Sequence, residues 1–170
     1  MTNRIVTYPG SVLRKKTEPV IKITKEILDL ADEMTRIMIE ADGVGLAANQ
    51  IGSIHRIFVI NTTPHEEEPT PVVMINPEIV EQDGSSIEEE GCLSFPELYI
   101  TIDRRDCLSV RARNLFNEDI LYETTGLLAR AIQHEIDHLD GILIIDHITK
   151  DEDREKVEKW QDDRRQKAGV

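Results

Sequence analysis

"QHEIDHLDG", residues 133–141, places two histidines and a glutamate within five residues of a predicted helix. His134 and His138 are four residues apart, so on a helix their side chains lie on the same face. Glu135 directly follows the first histidine. This H-E-x-x-H arrangement is typical of sites where two imidazoles bind one divalent metal and the glutamate transfers protons beside it. We therefore predict a helix that binds a metal through these two histidines.

Apolar neighbours predict that this helix, over residues 126–139, is buried. They are Leu127, Leu128, Ala131, Ile132 and Leu139. A buried histidine or acid without a partner costs free energy, and a bound metal would remove that cost. Thr124 or Thr125 is the expected N-cap, and the pair Asp140-Gly141 is the expected end of the helix.

The rest of the chain predicts an α+β fold. A first helix follows Thr24 as N-cap and stops near Gly43, with apolar residues at helical spacing. Five short β-branched runs between Ile54 and Tyr122 predict an antiparallel or mixed sheet, with the second run closed by Pro77. They are "RIFVIN", "VVMIN", "LYITI", "CLSVRA" and "ILYET". Residues 150–170 carry seven basic and seven acidic side chains and predict an exposed, frayed terminal helix.

Composition limits the class of protein. The 170 residues predict one domain spanning 1–170. A net charge of -13 disfavours binding to nucleic acid or to an anionic membrane. The apolar runs are too short to span a bilayer. Two cysteines and the lack of a leader-like apolar start favour free thiols in a reducing, cytoplasmic location.

A catalytic metal usually takes three protein ligands and a water, so a third ligand is needed. The long zinc-protease pattern would require a histidine where Ile144 stands, and Glu158 lies in the charged tail without a supporting motif. Cys92, in "EEGCLSFP", is the remaining candidate. The alternative is that Cys92 is a plain buried cysteine, which is how we interpret Cys107.

A third segment, "GVGLAANQIG" at residues 43–52, contains little side-chain bulk, so a ligand or another backbone can come close to it. It follows a helix rather than a strand, which argues against a dinucleotide-binding fingerprint. Gln50 alone would more often be a structural amide.

Together, "GVGLAANQ", "EGCLS" and "QHEIDHL" resemble the peptide deformylase family over residues 4–150. The resemblance implies that the strands wrap around the metal-binding helix, between an N-terminal and a C-terminal helix. It implies metal binding by Cys92, His134 and His138, most often of Fe²⁺, with Zn²⁺ and Ni²⁺ forms also met. It implies general acid and base catalysis by Glu135. The implied activity is removal of the formyl group from the formylmethionine of nascent polypeptides, with release of formate.

The same resemblance implies an oxyanion hole and a peptide-binding cleft. Gln50 and the backbone N–H of Leu93 would form the oxyanion hole, and the metal would acidify the attacking water. The residues expected to bind substrate are Val44, Gly45, Glu90, Gly91, Leu128 and Ala131, of which Val44, Leu128 and Ala131 would line a methionine pocket. Tyr99 stands where some members carry an arginine near the cleft.

Several assignments stay open at this point. Arg104 or Arg105 could neutralise the acids Glu90 or Asp137, and Gln133 could be structural or catalytic. A zinc endopeptidase and a non-catalytic metal-binding module are the rival functions. The module would need a fourth protein ligand, for which the candidates are His55, His147 and Cys107. Contact with the ribosome is an expectation from the family alone, and the native metal and oligomeric state are open.

Overall fold

The computed structural model describes residues 5–169, so both ends of the predicted domain lie outside the described residues. Its helices are α1 (Lys25–Glu40), α2 (Gly126–Leu139) and α3 (Asp151–Lys167). Its strands are β1 (Gly45–Ala47), β2 (Ile57–Asn61), β3 (Pro71–Asp83), β4 (Ser86–Cys92), β5 (Phe95–Arg104), β6 (Cys107–Arg113) and β7 (Asp119–Thr125).

The strands form two antiparallel sheets. Five of them pair in the order β1-β2-β3-β6-β7, and the second sheet is the hairpin of β4 and β5. In the larger sheet Leu46 lies opposite Val59, and in the hairpin Gly91 lies opposite Tyr99. Within residues 5–169, β1 and β4 therefore each have one edge without a neighbouring strand. The predicted α+β class is confirmed.

Helix α1 begins and ends as the sequence predicts. The Thr24 hydroxyl accepts a hydrogen bond from the Ile27 N–H, which satisfies one of the free donors of the first turn. Its buried residues recur at helical spacing and pack against β1 and β2. They are Ile27, Ala31, Met34, Ile37 and Met38. This packing fixes the start of the "GVGLAANQ" segment, which follows α1 directly.

Helix α2 lies between the two sheets. Ala129 and Ile132 pack against β2, β3 and β6 of the larger sheet. On the other side, Arg130 donates hydrogen bonds to the carbonyls of Ser86 and Ile102 in the hairpin. Strands therefore surround the helix, as predicted. Its first residue is Gly126, which has a φ of 62°, and the preceding Thr125 makes no side-chain cap bond.

The prediction that Pro77 closes the second strand was wrong. β3 continues through Pro77 to Asp83, and its pairing with β6 shifts register between Ile75 and Glu78. Proline lacks an N–H, and a register shift is a place where the sheet requires no donor. Pro77 therefore marks an irregularity within one long strand rather than its end.

Helix α3 forms as predicted, but one of its faces is buried. Val157 and Trp160 pack into a cluster with Phe95 and Leu98 of β5. The carboxylate of Asp153, which is only 1% exposed, accepts a hydrogen bond of 3.1 Å from the Thr101 N–H. The charged composition concealed this contact, because two apolar residues and one acid are enough to attach the helix to the strand.

We predict that Asp153→Ala destabilises the protein by about 1–3 kcal/mol, because it leaves the Thr101 N–H without its acceptor. The hydrogen bonds from Lys156 and Thr101 outweigh the effect of burial and lower the pKa of Asp153 below its ordinary 3.8. The contribution is therefore present above pH 3.8 and is lost as the pH falls through the lower, folded-state pKa. Urea unfolding at several pH values measures it.

Asp151→Ala is the matched control, because Asp151 lies in the same helical turn with its side chain 94% exposed. Equal stability losses in the two variants would contradict the proposed contact between α3 and β5. No helix of the described chain has the length and apolarity that a bilayer crossing requires.

Candidate metal centre

Cys92, at the end of β4, and two histidines of α2 bring their donor atoms together. The Nε2 atoms of His134 and His138 are 3.1 Å apart, and the Sγ of Cys92 is 3.2 Å from the Nε2 of His138. All three donor atoms lie within 4.8 Å of one another. In a tetrahedral site with usual metal–ligand distances, two nitrogens lie about 3.3 Å apart and a sulfur lies about 3.6 Å from each nitrogen. The donor set fits one metal ion with a fourth position left over.

Glu90 orients the imidazole of His134. Its Oε1 lies 2.6 Å from the Nδ1 of His134 and accepts a hydrogen bond from the N–H there, so Nε2 is the nitrogen left to face the metal position. Burial alone would raise the pKa of Glu90, but hydrogen bonds from His134 and Arg104 lower it well below its ordinary value. Glu90 is therefore a buried carboxylate anion.

Two arginines balance this buried charge. Arg104 donates two hydrogen bonds to Glu90, of 3.0 and 2.6 Å, and a third of 2.5 Å to Asp137. Arg130 donates one of 3.0 Å to Glu90. Asp137 also lies 2.7 Å from the Nε2 of His147. Of the two predicted arginines, Arg104 is thus the partner, and it joins both predicted acids.

The second histidine ligand is held through its backbone. Asn49 is fully buried and donates a short hydrogen bond from its side chain to the carbonyl of His138. Burial opposes the shift, but the thiol of Cys92 and the carboxylate of Glu90 raise the pKa of His134 well above its ordinary value. Burial and the charge of a protonated His134 lower the pKa of His138 well below its ordinary value. Its Nδ1 has no hydrogen-bond partner among the described residues. A neutral imidazole is the form that binds a metal.

Glu135 lies beside the donor cluster with one oxygen free. The residue is 3% exposed, and its Oε2 has no hydrogen-bond partner among the described residues. Burial is the main reason that the pKa of Glu135 is raised to about 7, and the negative charge of Glu90 adds to it. A buried carboxyl with such a pKa can both accept and release a proton near neutral pH.

Gly45 provides the space that this carboxyl occupies. A Cβ atom on Gly45 would lie 2.5 Å from the Oε1 of Glu135, which is closer than non-bonded atoms approach. We predict that Gly45→Ala displaces the carboxyl and lowers kcat/KM by about 100-fold with the metal retained. Kinetics and metal analysis of the purified variant measure both effects.

A double-mutant cycle separates this mechanism from general damage. Since the substitution acts through Glu135, it should have little further effect in a Glu135→Ala background. Equal losses in the two backgrounds would show that Gly45 acts on something else.

Gln50 points its amide N–H towards the donor cluster. Its Oε1 accepts a hydrogen bond of 2.9 Å from the Ala47 N–H, so the opposite atom is the nitrogen. That Nε2 lies 3.1 Å from the Oγ of Ser94 and 3.8 Å from the Sγ of Cys92. The backbone N–H of Leu93 donates to no other described residue. The Gln50 amide therefore lies beside Cys92, and the next residue along the chain has a backbone donor without an acceptor among the described residues.

The cluster opens into a cavity of ≈ 550 Å³ between the two sheets. One wall is the segment of Val44 and Gly45, the other is the segment of Glu90 and Gly91, and Ala131 lies along α2. The carboxylate of Glu90 turns inward to His134. The structure thus brings all but one of the predicted substrate-binding residues to this cavity.

Leu128 is the exception, since it does not line this cavity. It packs against the core under the larger sheet, whereas Leu127 lines the cavity and is 42% exposed. Successive residues of a helix point about 100° apart, so an apolar run does not tell which leucine faces the cleft.

Other predicted residues lie outside the centre. Gln133 is structural, since its amide bonds both backbone groups of Arg105. Cys107 is exposed rather than buried. Cys92, His134 and His138 are the one metal-ligand cluster among residues 5–169, so no fourth protein ligand from His55 or His147 joins it.

Sequence reasoning missed three residues of the site. Ser94 and Asn49 carry no signal that separates them from ordinary polar residues. Arg130 does carry one, because it stands four residues before His134 and therefore on the ligand face of α2, where a buried charge requires a partner.

A fold that holds a cysteine and an H-E-x-x-H helix around one metal position, beside a free buried glutamate, defines a metal-dependent hydrolase. The family model described as "Polypeptide deformylase" matches residues 2–154. The chain belongs to the peptide deformylase family. It is thus a metal-dependent enzyme that removes the N-formyl group from nascent peptides, as its motifs predict.

Curated relatives and solved structures agree with this assignment. A peptide deformylase of Thermodesulfovibrio yellowstonii is 45% identical over 145 residues, which are 85% of this chain and 88% of the relative. One from Aquifex aeolicus is 43% identical over 95% of this chain and 96% of the relative. The crystal structure of a peptide deformylase from Legionella pneumophila has a TM-score of 0.88 at 36% identity, covering 99% of this chain and 98% of that chain.

Proposed function

We propose that Cys92, His134 and His138 hold the metal of this deformylase and that Glu135 transfers the proton during hydrolysis. The observation that carries the proposal is the meeting of the three donor atoms within 4.8 Å, next to a glutamate oxygen without a partner. When bound, the metal would acidify a water molecule for attack and polarise the formyl oxygen. The remaining steps fall to the protein's own residues.

Glu135 is proposed to accept the proton of the attacking water at Oε2 and to pass it to the leaving amine. Its burial keeps this proton from bulk solvent, and its raised pKa of about 7 suits both the accepting and the releasing step. Glu90 keeps His134 in the required tautomer, and Arg104 and Arg130 keep Glu90 ionised.

The charge that develops on the formyl oxygen is proposed to be stabilised by the Nε2 of Gln50 and the N–H of Leu93. Removal of one such donor costs about 2.7–4 kcal/mol in a comparable site. The bonds from Ala47 and to Ser94 hold the Gln50 amide before substrate binds. The donors therefore need little reorganisation during the reaction.

The peptide is proposed to bind as an extended strand between β1 and β4. Each of these strands has a free edge, and both edges line the cavity, so an added strand could pair its backbone with Val44 and Gly45 on one side and with Glu90 and Gly91 on the other. Val44, Leu127 and Ala131 are proposed to surround the methionine side chain. A site shaped for a formyl group would exclude acetyl for lack of room.

We propose Fe²⁺ as the native metal, with Zn²⁺ or Ni²⁺ as functional substitutes. One thiolate with two imidazoles can bind any of these three ions, so the protein's ligands do not exclude Zn²⁺ or Ni²⁺. Both cysteines are free thiols, which suits the proposed location in a reducing cytoplasm. The proposed partner is the nascent chain. We further propose that contact with the ribosome brings the enzyme to this chain.

An anaerobic assay of formate release tests the proposal. The protein loaded with Fe²⁺ should release formate from a formyl-Met tripeptide and should leave the acetyl-Met tripeptide intact. The rival endopeptidase would instead cleave an internal bond of a blocked peptide. Internal cleavage without formate would overturn the proposed substrate.

A further inference from the structure

A second groove, of ≈ 840 Å³, lies between β5 and α3 and joins the catalytic cavity. Four residues line both spaces, namely Glu89, Glu97, Leu98 and Tyr99. The two spaces are therefore neighbours, with Tyr99 at their common border. We call this second space the α3 groove.

Two hydrogen bonds join α3 to β5 on either side of the α3 groove. Asp153 accepts a hydrogen bond from the Thr101 N–H, and the Nε1 of Trp160 donates one of 2.7 Å to the carbonyl of Pro96. Within residues 5–169 no other hydrogen bond joins the helix to the strand. The strand between Pro96 and Thr101 therefore faces the groove without hydrogen bonds to the helix.

The surface of the α3 groove combines an apolar floor with a rim of both charges. Trp160 supplies the apolar floor, with the guanidinium of Arg164 lying 4.5 Å from its ring centroid, and Tyr99, which is 58% exposed, stands at the border with the cavity. The rim carries both positive side chains, such as Lys159 and Lys167, and negative ones, such as Glu97 and Asp163. A rim without a single sign suits an extended polypeptide of varied sequence better than it suits a polyanion.

We propose that the α3 groove binds the residues of the formylated chain that follow those held in the catalytic cavity. This proposal rests on the proposed function, which places the formyl end beside Glu135. A nascent chain continues beyond its first residues and must leave the cavity, and Tyr99, which lines both spaces, would guide it towards Trp160. Tyr99 would then contact the substrate where it passes from one space to the other.

Two formylated peptides test the α3 groove in the metal-loaded enzyme. One is a tripeptide beginning with formyl-Met, and the other is an octapeptide that extends it with uncharged residues, some of them apolar. The wild-type enzyme should show a KM about fivefold lower for the octapeptide, since partial burial of the added side chains exceeds the cost of ordering them. The value of kcat should be the same for both peptides.

Asp163→Trp and Asp162→Trp form a matched pair on α3. Both aspartates are exposed, but Asp163 lines the α3 groove and Asp162 does not. The tryptophan at 163 should fill the groove and remove most of the octapeptide's advantage, whereas the tryptophan at 162 should keep it. Helix content measured by circular dichroism checks that both variants fold alike.

The outcomes separate this proposal from the function on which it rests. Substrate contact with the groove is supported if the ratio of octapeptide to tripeptide kcat/KM is lower in Asp163→Trp than in Asp162→Trp. Formate release from the tripeptide with the same ratio in all three proteins overturns the α3 groove proposal alone. No formate from the tripeptide in the wild-type enzyme overturns both.

Discussion

Replacing Glu135 by alanine should lower kcat by about 10²–10⁴-fold and leave the metal in place. The carboxyl has one oxygen free among the described residues and is not part of the donor cluster, so its loss removes proton transfer without removing a ligand. Single-turnover formate release, together with metal analysis of the same sample, measures both parts of the prediction.

Glu135→Gln is the control for shape. It keeps the volume of the side chain but cannot take up the proton of the attacking water, so its activity should fall nearly as far as that of the alanine variant. Full activity in either variant would contradict the role of Glu135, and loss of the metal from both would show that it acts as a ligand.

Replacing Cys92 by alanine should weaken metal binding by more than about 100-fold and abolish formate release with it. Loss of a residue that only orients a ligand already costs about 10–100-fold, and Cys92 supplies one of the three donor atoms. Competition with a chelator of known affinity measures the metal affinity of the variant.

Cys107→Ala is the matched control, because Cys107 is the other cysteine of the chain and lies exposed at the start of β6. It should bind metal and release formate as the wild-type protein does. A Cys92→Ala protein that holds its metal as tightly as the Cys107→Ala protein would show that the sulfur is not a ligand.

The helices of this protein could be predicted from short-range patterns. Thr24 and the apolar spacing after it define α1, and Gly141, which has a φ of 74°, ends α2 as the sequence predicts. Both signals act within one or two turns of helix, so they can be read without knowledge of the fold.

Two strands were missed because their sequences lack the usual alternation of a half-buried strand. β4 contains Glu88, Glu89 and Glu90 in succession, and only the last is buried, through its pairing with arginines from β5 and α2. β1 is three residues long and is rich in small side chains. What makes these segments strands is their pairing with β5 and β2.

The metal site, like the fold, could be predicted only in part from the sequence. The spacing of His134 and His138 predicts that they share one ligand face, because four residues on a helix bring them together. Spacing does not predict that Cys92 lies 3.2 Å from His138, since 46 residues separate them along the chain. The ion pairs that orient His134 likewise depend on three elements that only the fold brings together.

X-ray absorption spectroscopy of the metal-loaded protein tests the central claim most directly. For the Zn²⁺-loaded protein we predict one ion per chain, bound by one sulfur at about 2.3 Å, two imidazole nitrogens at about 2.0–2.1 Å and one oxygen from solvent. A spectrum without sulfur, or one in which a fourth protein ligand replaces the solvent oxygen, would contradict the account.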